Sequence, residues 1–254
     1  CKECLACEEK GLCPTDDDMK NKIYSLLWEA DVIVTATPIF FYNTPAQLKA
    51  FIDRCQTLWA RKYKLKLEDP GRKWRRGFLL AVGAARGKNL FEGVHLTIKY
   101  FLDAIGASFE GSLSYRQIEN KGDMEKHPTV LKDVKEAANG LLKPFVGRKK
   151  ILFASRENAC RSQMASAFAQ YVAGDKIETI SGGTHPANRI DPVMVKAMAN
   201  KGIDMAFRKP KSLEFAISNI QPDIAITMGC GEECSFIPEV QRDDWDLMDP
   251  AGKP

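Results

Sequence analysis

FASRENACRSQMASAF, from Phe153 to Phe168, reads as the end of a buried strand, a tight polar loop and the start of a helix. Ile151 to Ala154 supply the strand and Ser155 to Cys160 the loop. From Arg161 onward Met164, Ala165, Phe168 and Tyr171 take the apolar positions of a helix. Such a strand–loop–helix passage collects backbone N–H donors, and the helix N-terminus behind them favours a tetrahedral oxyanion such as phosphate or arsenate. The candidate cradle is Ser155, Arg156, Glu157, Asn158, Ala159, Cys160, Arg161 and Ser162, in which the Arg161 fork can grip two oxygens at once. The same spacing equally allows a plain strand-to-helix turn with an incidental arginine.

Outward from this loop, strands and helices alternate. Asp16 is placed to cap a helix through Ala30, followed by a strand at Val32–Ala36, a loop at Thr37–Asn43 and a helix from Pro45 to about Leu58. A strand at Phe78–Ala84, a helix over about 91–105, a strand in FEGSLSY and a polar helix from about Met124 to Leu142 complete the first half. This alternation predicts an α/β protein with two three-layer parallel-sheet domains, residues 1–145 and 146–254.

The 254 residues, 44% hydrophobic and 28% charged, suffice for two separate cores. A net charge of +4 gives no reason to expect nucleic acid or a membrane as partner. The basic stretches RKYKLK and GRKWRR, around Trp59 and Trp74, read as a solvated loop, with contact to a cofactor phosphate as the alternative. No apolar run reaches bilayer length, so a cytoplasmic protein is expected. The start at Cys1 and the stop at Pro254 lead us to expect a piece of a longer chain.

Four of the eight cysteines, Cys1, Cys4, Cys7 and Cys13, fall in CKECLACEEKGLC with C-x2-C-x2-C-x5-C spacing. Four thiolates from one loop can converge on a [4Fe-4S] cluster or a zinc ion, and a loop without metal also fits the spacing. Cys55 reads as a buried thiol, Asp53 and Arg54 as a helix-end ion pair, and His95 and His127 as isolated structural or exposed residues.

The loop at Ser155–Ser162 resembles the phosphate loop of low-molecular-weight tyrosine phosphatases and thioredoxin-coupled arsenate reductases, a cysteine followed by five residues and Arg-Ser. Asn158, Arg161 and Ser162 match, but Ser155 stands where those families carry their nucleophilic cysteine. The likeness continues through SGGTHPANRIDPVMVKAM, GIDM, RKPKSL, DIAITMGCGEEC and DDWDLMDPAGKP. It implies that Arg161 binds the oxyanion, that Asp249 of the Asp-Pro pair is a general acid, and that Cys230 and Cys234 relay oxidation. A serine hydroxyl is far less acidic than a thiol, so Ser155 should be a poor nucleophile, and the domain is expected to bind oxyanions with weak or no phosphatase-type turnover unless Cys160, Cys230 or Cys234 has taken over attack. Cys160 also reads as an ordinary packed thiol. His185 lies in the motif without a required catalytic role.

The first half, in CPTDDDM and ADVIVTATPIFFYNTPAQLKAFIDR, resembles flavodoxin-like NAD(P)H-dependent flavin reductases and iron–sulfur flavoproteins. The resemblance implies that Thr37, Pro38, Ile39, Phe40, Tyr42 and Asn43, with Gly83, Ala84, Arg86 and Gly87, lie against FMN. That loop placement accords with ligand binding at the carboxyl ends of parallel strands. The residues alone leave Phe40, Phe41 and Tyr42 free to close a core instead. The family's first strand and phosphate loop are not in this sequence.

Side by side, the two resemblances suggest one redox protein: NAD(P)H reduces FMN, and electrons pass to thiols that reduce arsenate or to a small-molecule acceptor. The alternatives are a non-catalytic oxyanion sensor that biases the flavin domain, and a flavin or quinone reductase with a degenerate appendage. The flavodoxin-like resemblance also implies a homo-oligomer.

Overall fold

Alternating strands and helices give two parallel sheets, one in each half of the chain. The computed structural model describes residues 1–229, 234 and 240–248. The chain divides into two compact units, residues 1–66 with 72–144, and residues 67–71 with the rest from Phe145.

In the first unit β1 (Val32–Pro38), β2 (Arg76–Gly83) and β3 (Ser108–Arg116) lie parallel in the order β1-β2-β3. Its helices are α1 (Ala6–Lys10), α2 (Tyr24–Glu29, entered through a π turn at Met19–Ile23), α3 (Ala46–Arg54), α4 (Gln56–Tyr63), α5 (Glu92–Ala104) and α6 (Val130–Leu142). Leu79 and Ala81 of β2 are buried, as are Val94, Ile98 and Leu102 of α5. Gly77 lets α5 close on the sheet, since a Cβ there would stand 2.4 Å from the Leu102 methyls.

Four local expectations change. The helix expected over Pro45–Leu58 breaks at Cys55, which is buried and starts a second helix. Burial pushes its thiol up to about 12, in keeping with a packing role. The helix expected from Met124 begins at Val130, because Pro128 holds His127 extended at ψ 127°. Asp16 accepts from Asn21 Nδ2 (3.1 Å) instead of capping a helix. Asp53 pairs with Lys49, while Arg54 reaches Asp17, with Nη2 3.0 Å from Oδ1. The Arg54 guanidinium accordingly holds the Asp17 carboxyl below its usual range.

Arg75, within the stretch read as solvated, is 1% exposed. It donates to the carbonyls of Trp28 (2.6 Å), Ala30 (2.9 Å) and Ile105 (2.8 Å), pinning the ends of α2 and α5. A guanidinium has enough N–H groups to satisfy three carbonyls at once, which explains its place in the interior.

In the second unit β4 (Lys149–Ser155), β5 (Ile177–Gly183), β6 (Ile224–Met228) and β7 (Gln241–Asp244) form a parallel sheet in the order β5-β4-β6-β7. Period-two alternation sends Leu152 and Ala154 of β4 into one cluster with Leu213, Ala216 and Ala225, and Phe153 into another with Ile226 and Met228. Helix α7 (Arg161–Ala173) follows β4; α8 (Pro192–Asn200) is capped by Asp191 and α9 (Leu213–Ile220) by Ser212. Residues 67–71 join this unit through Glu68, which bridges Ile203 and accepts from the Tyr171 hydroxyl at 3.0 Å. No described helix is long and apolar enough to cross a membrane.

Replacing Arg75 by Met is expected to lower stability by about 3 kcal/mol, because three buried carbonyls lose a charged donor. Urea unfolding of the purified chain checks this, and an unchanged midpoint would contradict the assigned role.

Candidate functional site

Backbone geometry builds the oxyanion loop. The segment after β5 runs alongside Ser155–Cys160 and takes its carbonyls: Thr184 N–H donates to Ser155 O (3.3 Å), His185 to Arg156 O (2.8 Å), Ala187 to Glu157 O (2.9 Å) and Asp191 to Ala159 O (3.0 Å). In a planar trans peptide the N–H points opposite to the carbonyl. The amides of Arg156, Glu157, Asn158 and Cys160 therefore turn away from that segment, at the N-terminus of the thirteen-residue α7.

Asn158 locks this turn. It sits at φ 50°, is fully buried, and its Oδ1 accepts from Lys211 N (2.9 Å) and Gln163 Nε2 (3.0 Å). Its Nδ2 donates to Ser162 Oγ at 2.9 Å. Gln163 also reaches the Lys209 carbonyl at 3.1 Å, tying the loop to the 209–211 segment. Gly183 lies directly beneath, where a Cβ would stand 2.7 Å from Arg156 O and 2.9 Å from Asn158 N. The side-chain roles of Gln163 and the backbone role of 184–191 were not legible in the loop sequence; the only signal was the neighbouring GTHPANR motif.

Ser155 Oγ lies 2.7 Å from Ser162 Oγ and 3.2 Å from Asn158 N, in a site only 5% exposed. Neither a hydroxyl nor an amide can take its proton, so the arrangement lacks the adjacent base that activates a serine. Arg161 donates from Nη1 to Leu247 O at 2.8 Å, and its guanidinium lies against Gly229. Cys160 packs against the cluster of Ala167, Met194 and Met198, while its amide belongs to the cradle. Cys234 is 2% exposed, packs with Leu152 and Ala225, and is disulfide-bonded. Cys230 and Asp249 lie outside the described residues.

At the carboxyl end of the first sheet, Phe40 and Asn43 exchange backbone hydrogen bonds at 2.9 and 3.0 Å around a two-residue turn. Phe41 (φ 48°) and Tyr42 (φ 64°) hold left-handed conformations that bulky residues avoid, a form of strain that gathers at ligand sites. Phe40, Phe41 and Tyr42 are 58%, 102% and 52% exposed, so they do not close a core. Thr37 and Pro38 finish β1, and Ile39 N–H donates to Val82 O. The second loop abuts the first: a Cβ on Gly87 would stand 3.2 Å from Tyr42 Oη, and one on Gly93 2.5 Å from Tyr42 O. Gly83 is buried at the end of β2, while Ala84 and Arg86 are exposed beside it. Exposed aromatic surface and close-set glycines at the ends of parallel strands fit a flat isoalloxazine ring.

Cys1, Cys4, Cys7 and Cys13 all line one cavity of about 950 Å³, together with Arg54, Cys55 and Trp59. Among the described residues, however, no three metal-ligating side chains approach closely enough to share an ion. Cys1 and Cys4 are exposed, and in this arrangement the four thiols do not fit a cluster. Burial raises the Cys7 thiol. At Cys13 burial is outweighed by hydrogen bonds from Thr15 and by the Arg54 charge, which leave the thiol below its usual range.

Two family models divide the chain: NADPH-dependent FMN reductase matches residues 2–108, and low molecular weight phosphotyrosine protein phosphatase matches residues 150–253. Arsenate reductase 2 of Staphylococcus haemolyticus is 34% identical over 111 residues, covering 42% of this chain and 82% of that protein. The iron-sulfur flavoprotein of Methanosarcina thermophila is 40% identical over 86 residues, 34% of this chain but only 41% of that protein. Among solved structures, the thioredoxin-dependent arsenate reductase of Corynebacterium glutamicum is 30% identical, covers 52% of this chain and 67% of that one, and superposes with a TM-score of 0.37. The chain is thus an oxidoreductase with a flavin-reductase half and a half similar to phosphatases and arsenate reductases. It belongs to the low-molecular-weight phosphatase and arsenate reductase family through its second unit, fused to an NADPH-dependent FMN reductase domain.

Gly183→Ala is expected to push the loop outward, costing about 1–3 kcal/mol and most of the affinity for arsenate, read by calorimetry. Gly93→Ala offers a sharper contrast, since alanine alone would strengthen α5 by about 1 kcal/mol. Its clash with Tyr42 O should instead weaken FMN binding by about tenfold, measured by flavin fluorescence quenching.

Proposed function

We propose that this protein is a cytoplasmic NAD(P)H-dependent FMN oxidoreductase whose electrons reach the thiols of its arsenate reductase-like domain. The observation that carries the oxyanion half is the outward capture of the Ser155, Arg156, Glu157 and Ala159 carbonyls, which leaves a cradle of amides beside Arg161. Arsenate would be held there by the loop from Ser155 to Ser162, with phosphate as a competitor of the same shape.

In the other half, Thr37, Pro38, Ile39, Phe40, Tyr42 and Asn43 would meet FMN from one side, and Gly83, Ala84, Arg86 and Gly87 from the next loop. Bound there, FMN supplies hydride acceptance from a reduced nicotinamide and delivery of the electron pair to a disulfide or a small-molecule acceptor. The buried disulfide at Cys234 is the receiving group in this reading, and its reduction takes two electrons and two protons to give two thiols. Arg161 would offset the oxyanion's charge, Asp249 would donate a proton to the leaving oxygen, and a thiol of Cys160, Cys230 or Cys234 would attack in place of Ser155.

Cysteine spacing and the iron-sulfur flavoprotein relative support a cluster on Cys1, Cys4, Cys7 and Cys13. The thiols do not converge here, so no electron step is assigned to it. Homo-oligomerisation is part of the proposal by analogy with flavodoxin-like reductases.

A second reading, oxyanion sensing without turnover, is favoured by one feature: Ser155 has a hydroxyl and an amide as partners and no base. The deciding experiment is arsenate-dependent NAD(P)H oxidation with FMN supplied, run with the natural chain and with Ser155→Cys. The coupled enzyme predicts turnover in the natural chain, abolished when Cys160, Cys230 and Cys234 are all replaced by Ala. Turnover confined to Ser155→Cys supports the sensor, and oxidation that never depends on arsenate in either chain overturns both arsenate roles.

A further inference from the structure

The fold gathers two histidines that lie far apart in sequence. A cavity of about 540 Å³ opens at the carboxyl ends of β2 and β3, lined by Lys88, Phe91, His95, Tyr115, Arg116 and His127, with Glu92 as the one carboxylate on its wall. His95 Nε2 is fixed by Ser112 Oγ (3.0 Å) and Ser114 Oγ (3.2 Å), between the rings of Phe91 and Phe109. The His127 ring lies edge-on to Tyr115 at 4.6 Å.

Arg116 is held by groups that leave its charge intact. Arg116 donates to the Lys88 carbonyl at 2.7 Å and lies over the Phe91 ring, and neither contact neutralises it. Tyr115 donates to Asp133 at 3.0 Å and Thr129 donates to the same oxygen at 2.7 Å, so two hydroxyls engage that carboxylate beside His127. Burial, then the Asp133 carboxylate, push the Tyr115 phenol up to about 12, leaving it a neutral donor. Helix α5 begins at this wall, with the Glu92 and His95 amides bonded to the Asn89 and Phe91 carbonyls. Two cations, two imidazoles and aromatic walls stand against the carboxylate of Glu92 on the wall and that of Asp133 beside His127.

We propose that this cavity is a phosphate-monoester subsite of the flavin domain, held by Lys88, Arg116, His95 and His127. A phosphate monoester carries up to two negative charges and three acceptor oxygens, matching donors that converge from a loop, a strand end and a helix. Lys88 closes the loop that abuts Tyr42, so the subsite adjoins the flavin-facing edge. Its assignment to a substrate of the flavin rests on the flavin reading above. That phosphate is the 2′-phosphate of the reduced dinucleotide or the phosphate of a diffusible flavin acceptor.

The chain has three histidines, which makes imidazole NMR a direct readout. Adding 2′-AMP to the full chain should shift His95 and His127 saturably, adenosine should not, and Arg116→Gln or Lys88→Gln should weaken the effect by about tenfold. His185, whose N–H bonds the Arg156 carbonyl, reports on the oxyanion loop separately. Movement of His185 alone, or equal shifts with adenosine, overturns the subsite. This readout needs no flavin, so a chain that binds 2′-AMP at His95 and His127 yet holds no FMN would overturn the flavin reading and leave the subsite standing. Kinetics separate the two sources: a raised KM in Arg116→Gln for NADPH but not NADH marks the donor, and for FMN but not riboflavin marks the acceptor. Equal changes for phosphorylated and unphosphorylated partners, or none, overturn the proposal.

Discussion

Each peptide group between Ser155 and Cys160 has a donor end and an acceptor end, and the segment from Thr184 to Asp191 captures the acceptors. Everything in the second unit's site follows from that division. Planarity then fixes the opposite orientation of the amides, Asn158 holds the left-handed turn they require, and Gly183 leaves room for the loop to lie flat. The cradle is built into the backbone, so it survives the presence of serine where a thiol is expected.

The first unit uses backbone strain in a comparable way. Phe41 and Tyr42 are held at positive φ between two hydrogen bonds, and glycines at 87 and 93 receive the turn. The cost of such conformations, about 1–3 kcal/mol each, must be met by the surrounding contacts. In return three aromatic rings stand in solvent at the ends of parallel strands, ready to be covered by a flat ligand.

Much of this was legible in the sequence, and the misses have identifiable causes. Strand and helix alternation follows from periodicity, whereas the reading of an anion loop that departs at Ser155 came with the resemblance to the phosphatase and arsenate reductase loop. Arg75 was misread because a basic stretch signals solvent until three carbonyls, supplied by segments far away in the chain, are seen to surround it. The break at Cys55 and the late start at Val130 were small boundary shifts, the second set by Pro128. Asp17, paired with Arg54 across 37 residues, illustrates a partner that no local rule would select.

The sequence by itself determined the two parallel-sheet halves, the strand–loop–helix passage after Ser155 and the absence of a thiol at that position, because these depend on residue type and short-range spacing. Only the tertiary structure decided that Phe40, Phe41 and Tyr42 face solvent, that Arg75 is buried, and that His95 and His127 share a cavity with Lys88 and Arg116. Those outcomes depend on which distant segments meet at a sheet edge, and parallel strands with crossover helices bring together residues that periodicity treats as unrelated.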